Sequence, residues 1–548
     1  MKRNLATLTE NIYDVVIIGG GIYGACVAWE ASSRGLSVAL VEQSDFGGAT
    51  SANSLKTVHG GLRYLQTADL KRMRESISER TTLMGIAPHL VHPLPVLIPT
   101  YGHGTKGNVA LSVALKLNDL ISFDRNRLSD SQKHLPKGRV ISKAECQQLT
   151  PGLTIKGLTG AAVFHDAQVY NSERLTLAFL HSAVAAGAEI SNYTKVTGFL
   201  QQQNRITGVK VTDVLTGNCF EIQAKTVINT SGPWVNQVLG LVKPQPTLHQ
   251  MGLAQAMNVI TRPLFKDYAV GLPGKGRFWF VSPWRGKSMI GTWQGVEAQH
   301  PDEFQISEAS IQAFINEINE AYPPAKLTRE DVLFVHQGQL PYKGIDPKTG
   351  EPAMLKQYQI RDFAQEGLPG LISVVGVKYT TARDVAQKTI DQVFKSWGQT
   401  SPPSLSAKTP LYGGEIVDFS AFLQREITTK QSEGFAEETI RSLVYNYGSV
   451  YEDVLGYLKK FPQPSSSDDA VLKAQVLYAV DYEMAQTLSD VVFRRTELGS
   501  AGELDKSSVQ LCAETMANLL NWSPTKLQQE LQQVGKINEH HTPILSGV

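Results

Sequence analysis

The sequence predicts an α/β (α+β) protein with a helical C-terminal region, and three observations indicate this. The chain has 548 residues. Because single hydrophobic cores stop growing near ~250–300 residues, we expect two or three domains. Within the first 42 residues an apolar strand runs into a glycine-rich turn, a helix and a second strand. From residue 411 onward, apolar residues recur with the spacing of helices.

Composition restricts the class of protein. The hydrophobic fraction of 42%, the charged fraction of 19% and the net charge of +1 are those of an ordinary globular protein and give no support for a nucleic-acid partner. The four cysteines are far apart and form no CxxC pair, which argues against a disulfide scaffold or a metal site and favours a reducing, cytoplasmic compartment. Neither a secretory signal nor a transmembrane helix is expected, because the apolar runs are too short.

The first element is a short apolar strand, YDVVII at residues 13–18, which runs directly into GGGIYG at residues 19–24. In this G-x-G-x-x-G pattern Gly19 permits the tight turn, Gly21 lets the backbone approach a pyrophosphate, and Gly24 lets the helix pack close on the strand. The start of the helix then offers unpaired N–H groups and a positive dipole end to the phosphates.

The residues after the turn distinguish it from a tight turn in any other α/β protein. A helix at residues 25–34 is followed by a second apolar strand at residues 37–41, which ends in Glu42. An acid 18 residues beyond Gly24 is placed to accept a hydrogen bond from a ribose hydroxyl. Because no basic residue lies beside Glu42, NADP is disfavoured. The sequence therefore predicts a Rossmann-type βαβ unit that binds a dinucleotide.

The segment that follows favours FAD over NAD. Residues 47–66 read GGATSANSLKTVHGGLRYLQ, which is rich in small and hydroxyl-bearing residues and has little hydrophobic periodicity. Such a loop suits contacts to a pyrophosphate and to the edge of an isoalloxazine ring, although a flexible Gly/Ser linker has a similar composition. The embedded Lys56, His59, Arg63 and Tyr64 argue against a linker.

The middle of the chain shows alternating helical and strand patterns. They predict a helix at residues 170–187, a strand at 188–192, short strands over 195–229, and strands with one helix at 307–322 within residues 250–345.

A second strand–turn–helix unit follows, with a buried strand at Leu371–Val375, the turn GVKYTT and a helix from Ala382. Thr380 or Thr381 can cap this helix. Its positive end is expected to point at the flavin pyrimidine ring, where the dipole and Lys378 would stabilise a reduced anionic flavin.

The C-terminal region begins after a linker that is rich in proline and serine, at residues 398–410. Apolar spacing beyond it predicts four helices, at residues 435–447, 450–460, 470–495 and 507–520. The third would be a long helix of a bundle, and we expect this region to be a structural cap.

Seven motifs, in matching order and spacing over nearly the whole chain, resemble the FAD-dependent glycerol-3-phosphate dehydrogenase family, within the D-amino-acid-oxidase-like (DAO) flavoproteins. They are GGGIYGACVAWEASSRGLSVALVEQSDF, ATSANSLKTVHGGLRYL with the following ESISERTTLMGIAPHLVHPLP, AKTVINTSGPWVNQV, FVSPWRGKSMIGT, IRDF, LISVVGVKYTTARDVAQ and DYEMAQTLSDVVFRRTELG.

The resemblance implies a Rossmann-like FAD-binding domain, a β-sheet substrate domain and a helical C-terminal domain. It also implies non-covalent FAD, hydride transfer from a secondary alcohol to the flavin, and re-oxidation by quinone or oxygen. The expected domains are residues 1–90, 150–250 and 360–397 for FAD, 91–149 and 251–359 for the substrate, and 411–548 for the helices.

The resemblance also assigns site residues. The expected cofactor-binding residues are Gly19, Gly21, Ile22, Tyr23, Gly24, Glu42, Thr50, Ser51, Ser54, Lys56, His59, Gly60, Val196, Gly232, Trp234, Gly376, Lys378, Tyr379 and Thr380. The substrate-binding residues that the resemblance implies are Arg63, Tyr64 and Arg361. Gln339 and Trp293 are added to them because their side chains suit a hydroxyl-rich substrate.

Several positions depart from the family pattern, and most of the changes remove a charge. Leu340 stands where the family has a phosphate-binding Arg, and Met257 stands where it has a His. Each lost charge-assisted contact costs roughly 1.5–3 kcal/mol. One hypothesis keeps glycerol 3-phosphate as substrate, with His249, His336 or Lys343 compensating. Another is a less charged polyol, sugar derivative or hydroxy acid.

The glutamines and Trp293 would suit such a hydroxyl-rich substrate, although glutamines are also common at protein surfaces. The residues concerned are Gln255, Gln294, Gln337 and Gln339. Two further alternatives stay open: an amine or amino-acid oxidase in which Arg361 clamps a carboxylate, and a non-catalytic flavin-bound subunit for assembly or electron relay.

The expected catalytic residues are Arg361, Arg63, Lys378 and His59. The two arginines would orient the substrate, Lys378 would stabilise reduced flavin, and His59 or His336 would act as the base. A salt bridge with an acid is the alternative for Arg361.

Residues 108–123 have apolar spacing that fits either an interfacial helix or a core helix. Contact with the inner membrane surface and a homodimer are left open.

Overall fold

A computed structural model gives the architecture of residues 1–102, 108–153, 156–274, 278–296, 300–347, 350–461, 466–502 and 504–542. The strands are β1 Ile12–Ile18, β2 Val38–Val41, β3 Thr57–Val58, β4 Val91–Tyr101, β5 Arg139–Ser142, β6 Leu158–Val169, β7 Glu189–Ser191, β8 Thr194–Gln202, β9 Arg205–Asp213, β10 Cys219–Asn229, β11 Gly252–Thr261, β12 Ala269–Pro273, β13 Phe278–Trp284, β14 Lys287–Gly295, β15 Val332–Ile345, β16 Pro352–Met354, β17 Gln359–Asp362 and β18 Leu371–Val375.

The helices are α1 Leu5–Glu10, α2 Ile22–Ser33, α3 Leu70–Ile86, α4 Asn108–Ile121, α5 Lys143–Leu149, α6 Ser172–Ala185, α7 Val235–Leu239, α8 Glu308–Ala321, α9 Ala382–Ser396, α10 Phe419–Ser432, α11 Glu437–Tyr447, α12 Tyr451–Leu455, α13 Asp468–Glu483, α14 Leu488–Asp490, α15 Lys506–Leu520 and α16 Pro524–His541. None of the helices in the described part of the chain has both the length and the hydrophobicity needed to cross a membrane.

Sheet A is the nucleotide-binding sheet, with the order β17-β18-β10-β1-β2-β7 and the β8–β9 hairpin joined through β10. The pairs among β18, β10, β1, β2 and β7 are parallel. Both faces are covered: Val15 and Ile17 pack with α2, α6 and α9, and Val16 and Ile18 pack on the opposite face. Burial on both faces explains why β1 is a continuous apolar run. The predicted β1, β2, β18, α6, α8 and α9 are confirmed within a few residues.

Sheet B has the order β16-β15-β11-β14-β13-β12-β4-β6-β3, with β5 paired to β6. One face packs against α5 and α8, and the other meets the residue 50–58 segment and the C-terminal helices. Two predicted boundaries are wrong here, because β3 and β6 were assigned to the nucleotide-binding part. β6 pairs with β4 from Val91↔Val169 to Tyr101↔Leu158 and therefore belongs to sheet B.

The predicted long helix at residues 470–495 is also wrong. α13 ends at Glu483, because Met484 adopts φ +56°, and the chain restarts at α14 through a capping box of Thr487 and Asp490. A π-helical turn over Val491–Arg495 follows. The apolar spacing continued across this break, so periodicity alone did not reveal it. The sequence analysis also did not predict α10 and α16.

The linker at residues 398–410 contains no helix or strand, yet it is fixed to the nucleotide-binding part. Ser404 donates to Glu30 on α2 at 3.0 Å, and Ser406 accepts from Arg383 on α9 at 3.0 Å. The linker is therefore anchored to the two helices that cover one face of sheet A.

Candidate cofactor and substrate site

The turn between β1 and α2 has the geometry of a phosphate-binding turn. Gly19 has φ +102°, and a Cβ there would lie 2.9 Å from the Thr230 carbonyl oxygen. A Cβ on Gly24 would lie 1.8 Å from the Gly19 oxygen, so the helix packs against the strand at backbone distance. The first amides of α2 have no partner within the helix. Ile22 N donates instead to Ser51 Oγ at 3.0 Å, which places the Ser51 hydroxyl at the helix N-terminus.

Glu42 lies at the carboxyl end of β2 and is fixed by neighbouring groups. Its Oε2 accepts from Gly20 N at 2.7 Å, and its Oε1 accepts from Ser44 N at 2.9 Å. Burial raises the pKa of the Glu42 carboxyl. Thr194 N donates to the Glu42 carbonyl at 2.7 Å, so the start of β8 and nearby Val196 lie beside it. This edge has the acid and the extended backbone that an adenosine end would need.

Residues 50–60 connect sheet A to sheet B. The Thr50 hydroxyl donates to the Gln339 carbonyl at 3.2 Å, and Ser54 Oγ accepts from Lys56 N at 3.3 Å. Lys56 was predicted to bind the cofactor, but its ammonium is not available for this. Its ammonium is buried and donates to Ser172 Oγ at 2.7 Å beside Glu173 at 3.2 Å. The positive φ of Lys56, +60°, turns the side chain inward to this ion pair.

The second turn, after β18, closes on the first. The Tyr23 hydroxyl donates to the Lys378 carbonyl at 2.7 Å and lies 3.2 Å from Val377 N. A Cβ on Gly376 would lie 2.1 Å from the Tyr23 ring, so only glycine allows this contact. Burial raises the pKa of Tyr23 to about 12, which keeps its hydroxyl protonated. The N-termini of α2 and α9 therefore face one region.

The predicted side-chain cap of α9 is wrong. Thr381 is the N-cap residue but accepts no capping hydrogen bond. The Thr380 hydroxyl accepts instead from His59 N at 3.3 Å, and the Tyr379 hydroxyl donates to the Ser172 carbonyl at 2.9 Å. The open helix N-terminus leaves its amides available to a ligand.

His59 forms a pair with a buried acid. His59 Nδ1 lies 3.2 Å from Asp166 Oδ2, and Asp166 Oδ1 accepts from Gly60 N at 2.7 Å. Asp166 also accepts from Arg80 at 2.9 Å, and these partners hold the pKa of Asp166 below its usual value. The His59 side chain is 47% exposed. An acid on Nδ1 fixes the tautomer that leaves Nε2 as a proton acceptor.

Lys378 is a cation with no carboxylate partner among the described residues. Its Nζ lies 4.1 Å from the centre of the Tyr64 ring, and Arg72 stacks on the same ring at 4.7 Å. Burial lowers the pKa of Lys378 to about 8. Arg63, next to Tyr64 in the chain, is exposed and makes no hydrogen bond or ion pair with any described residue. The sequence predicted these three residues, and the structure brings Lys378 and Tyr64 into contact.

Arg361 has a structural role in this chain, which corrects the prediction that it orients substrate. It pairs with Glu366 at 2.5 Å, donates to the Thr247 carbonyl at 2.9 Å and stacks on Phe363 at 4.8 Å. None of the residues that Arg361 contacts was predicted to belong to the site. The salt-bridge alternative therefore describes Arg361, with Glu366 as the acid.

Residues 50–58, named here the cofactor segment, meet one face of sheet B. Gln339 and Trp293 lie on the opposite face. Met257 pairs with Trp293 and with Gln337, and side chains at these alternate positions share the face that packs on α8. Gln339 lies on the same face, two residues along β15 from Gln337. Because side chains alternate along a strand, Gly338 and Leu340 occupy the opposite face, where Gly338 lies beside Thr50.

Asn258 is a site residue that the sequence analysis missed. Its Nδ2 donates to the Asn53 carbonyl at 3.0 Å, and its Oδ1 accepts from Thr292 Oγ1 at 2.8 Å. The only sequence signal was its place next to Met257. Because side chains alternate along a strand, Asn258 lies on the face of β11 opposite Met257, where it meets the cofactor segment.

The surroundings of the two histidines proposed as compensating cations disfavour a positive charge. Both ring nitrogens of His249 are occupied, by Gln359 at 3.0 Å and Ser373 at 2.6 Å. His336 lies between Asn53 at 3.3 Å and the Ser500 carbonyl at 3.0 Å. Burial lowers the pKa of both rings. Neither supplies a positive charge, and His336 has no nitrogen left to act as a base.

The remaining predicted cofactor residues lie after β10. Gly232 is exposed with φ +57°, and a Cβ there would meet nothing within 4 Å. The Trp234 indole N–H donates to Asp302 Oδ1 at 2.6 Å. Gly232 therefore leaves open space beside the phosphate-binding turn, whereas the Trp234 donor is already used.

The residues present fit a dinucleotide. The glycine turn excludes side chains and suits the pyrophosphate, and the fixed acid at the end of β2 suits the ribose. The second helix N-terminus, beside a cation, suits the flavin ring. The contacts described above leave four predicted side chains outside the candidate site, those of Lys56, Arg361, Gln339 and Trp293. They add Asn258 to it.

Comparisons with known proteins show the family to which the chain belongs. A family described as FAD dependent oxidoreductase matches residues 14–379, and the C-terminal domain of alpha-glycerophosphate oxidase matches residues 404–527. The chain is 32% identical over 559 residues to a glycerol-3-phosphate dehydrogenase of Synechocystis sp., covering 98% of each. It is 29% identical over 558 residues to an aerobic glycerol-3-phosphate dehydrogenase of Staphylococcus aureus, covering 98% of this chain and 97% of the relative.

Among solved structures, the chain is similar to the glycerol-3-phosphate dehydrogenase from Bacillus halodurans complexed with FAD. The TM-score is 0.77 at 25% identity, covering 99% of this chain and 98% of that chain.

Proposed function

Because the chain belongs to the family of FAD-dependent oxidoreductases, we propose that it oxidises the secondary hydroxyl of glycerol 3-phosphate or of a closely related compound. The observation that carries the proposal is Lys378, a half-buried cation without a carboxylate partner among the described residues, beside the N-terminus of α9. A buried ammonium without a counter-ion is unfavourable unless a ligand supplies the anion. The phosphate of the substrate, or the anionic flavin, is such an anion.

The residues divide the work of the reaction between binding and proton transfer. Lys378 and the exposed Arg63 hold anionic groups, and Tyr64 fixes the direction of the Lys378 ammonium. His59, oriented by Asp166, accepts the hydroxyl proton at Nε2. When bound, FAD supplies the two-electron acceptor for the hydride of the substrate carbon.

A second candidate is a less charged polyol, sugar derivative or hydroxy acid. Leu340 and the buried Ala254 and Ala256 form the face of sheet B that meets the cofactor segment, and none of them can bind phosphate. The neutral state of His249 and His336 removes two further cations. An amino-acid oxidase is disfavoured, because Arg361 is already paired with Glu366.

Anaerobic titration of the flavin absorbance tests these candidates directly. Bleaching at low concentrations of glycerol 3-phosphate, with dihydroxyacetone phosphate as product, supports the first. Bleaching by glycerol or a sugar acid but not by the phosphate ester supports the second. Ammonia release would indicate an amine substrate, and no bleaching by any of them would overturn the proposed dehydrogenase activity.

We further propose that electrons pass to a quinone and that α4 contacts the membrane surface. Val113, Leu120 and Phe123 lie on one side of this segment and are 62%, 71% and 71% exposed. Arg74 and Arg127 stack on Phe123 at 5.5 and 5.6 Å. Because Arg74 is paired with Asp124 at 2.8 Å, the basic edge of the apolar stripe rests on Arg127. Such a face suits an anionic bilayer.

Co-sedimentation with phosphatidylglycerol vesicles tests this contact. The variant Leu120→Gln with Phe123→Gln should lose vesicle binding, whereas Val417→Gln, at an equally exposed apolar position elsewhere (76%), should keep it. Equal binding by both variants would show that α4 does not contact the membrane. Binding to vesicles made only of phosphatidylcholine would contradict the role of the basic edge.

A further inference from the structure

Two consecutive arginines of the C-terminal region reach back to the nucleotide-binding part. Arg495 donates to both oxygens of Asp45, each at 2.8 Å, and Arg494 donates through Nε to the same carboxylate. Both arginines lie in the π-helical turn Val491–Arg495. Widened turns of this kind are frequent at functional sites. The turn brings two neighbouring guanidinium groups onto one acid.

Asp45 lies in the connection that shapes the cofactor site. Residues 42–48, named here the adenosine turn, begin at Glu42, whose Oε2 accepts from Gly20 N at 2.7 Å. Gly47 N donates to the Gly20 carbonyl at 3.0 Å, and the Phe46 ring lies where a Cβ of Gly20 would be. The adenosine turn is therefore bonded to the phosphate-binding turn on one side and to Arg494 and Arg495 on the other.

Burial makes these arginines necessary to the adenosine turn. Asp45 is 2% exposed and Arg495 is 1% exposed. Besides the two arginines, Asp45 accepts from the neutral Asn192 at 3.1 Å. A buried carboxylate that loses a cationic partner must rearrange toward water or another donor. Movement of Asp45 would displace Phe46 and Gly47, and with them the contacts to Gly20.

We propose that Arg494 and Arg495 are positioning residues for the cofactor: by fixing Asp45 they hold the adenosine turn against Gly20 and so set the geometry that receives the adenosine diphosphate half of FAD. The C-terminal region then does more than cap the molecule, because it holds in place a part of the binding site that lies in the first 48 residues of the chain.

The same interface contains a matched control. Arg174 on α6 pairs with Glu483 at the end of α13 at 2.7 Å, and both side chains are buried. This pair also links the C-terminal helices to the nucleotide-binding part, but Arg174 makes no contact with residues 42–48 among the described residues. Glu483 also lies 3.8 Å from Arg495, but the bonds from Arg495 to Asp45 do not involve Arg174. Loss of the Arg174 charge should therefore weaken the interface without releasing the adenosine turn.

The experiment uses the full chain with three substitutions, Arg494→Gln, Asp45→Asn and the control Arg174→Gln. Arg494 is chosen because its side chain is 13% exposed and that of Arg495 is fully buried. Since Arg494 also pairs with the buried Asp490 at 2.6 Å, Asp45→Asn tests the bond to the adenosine turn separately. Binding of FAD and of ADP to the flavin-depleted protein is measured by calorimetry, and melting temperature is measured in parallel.

We expect Kd for both FAD and ADP to rise about tenfold to a hundredfold in Arg494→Gln and Asp45→Asn, because each variant loses one or more charge-assisted bonds. The control should lower the melting temperature and leave both Kd values within about twofold of the wild type. Unchanged ADP binding in the two variants overturns the proposal, as does equal weakening in the control. Neither result depends on the substrate, so the test is independent of the proposed dehydrogenase activity.

Discussion

At the scale of single residues, Lys378 has the strongest functional character. It combines burial, contact with the Tyr64 ring and absence of a described carboxylate partner. The comparison with Lys56 shows why position decides function. Lys56 is buried and Lys378 is half-buried, but Lys56 is paired with Glu173 and has no charge left to offer a ligand.

The pKa of Lys378 predicts a pH dependence of substrate binding. Burial lowers this pKa from 10.5 to about 8, so the ammonium is charged at pH 7 and loses its proton as the pH rises through 8. A phosphate ester is already a dianion there, because its second pKa is about 6. KM for glycerol 3-phosphate should therefore rise about tenfold per pH unit above pH 8.

The variant Lys378→Arg is the control for this profile, because a guanidinium stays charged throughout the range. Its KM should be flat between pH 7 and 10, measured from initial rates with an artificial acceptor. A wild-type KM that does not change over that range would show that Lys378 does not hold the anionic group.

His59 should act on kcat rather than on KM. Removal of a positioned general base typically costs about 10²–10⁴-fold in rate, so His59→Ala should lower the rate of anaerobic flavin reduction by that order. The exposed His540→Ala should behave as the wild type. Flavin reduction at the wild-type rate in His59→Ala would assign proton acceptance to another group or to water.

At the scale of elements, the same strand–turn–helix geometry occurs twice in the site. β1 leads to α2 and β18 leads to α9, and the Tyr23 hydroxyl ties the two turns together. Each helix presents its positive end without a side-chain cap. This arrangement concentrates two helix dipoles on one anionic cofactor.

Gly24→Ala tests how closely α2 must approach β1. The added methyl group would lie 1.8 Å from the Gly19 oxygen, so the helix must move and the turn must open. We expect purified Gly24→Ala to contain no flavin, as judged by absorbance after gel filtration.

Gly535→Ala is the matched control, because a Cβ there meets nothing within 4 Å in α16. It should retain flavin and gain about 0.5–1 kcal/mol of stability from the lower entropy of its unfolded chain. Stoichiometric flavin in Gly24→Ala would contradict the assigned role of the turn.

At the scale of the whole molecule, the hydrophobic cores cross the boundaries between parts. The main core of sheet A contains Leu411 and Met484 from the C-terminal region. A second core joins Trp284 and Phe334 of sheet B to Val491 and Leu488. The C-terminal helices are therefore part of the packing of both sheets.

This sharing predicts one thermal transition instead of two. Circular dichroism in the far and near ultraviolet should give coincident melting curves, and FAD at about 100 times its Kd should shift the whole transition by about 2.7 kcal/mol of added stability. Separate melting of the C-terminal helices, or a shift confined to one of two transitions, would show that the parts are uncoupled.

The sequence by itself determined the local features of this protein. The glycine turn, Glu42 and the strands β1, β2 and β18 follow from residues close together in the chain, because tight turns and buried parallel strands constrain their own residues. The helices α6, α8 and α9 follow from apolar spacing for the same reason.

Only the tertiary structure decided which polar side chains are available to a ligand. Glu366 forms an ion pair with Arg361, and Glu173 forms one with Lys56. Asp166 orients His59. Strand pairing decided that Gln339 and Trp293 face α8 while Asn258 faces the cofactor segment. These outcomes depend on contacts between residues that are distant in the chain. Neither periodicity nor a motif indicates which two distant charged residues will be buried next to each other.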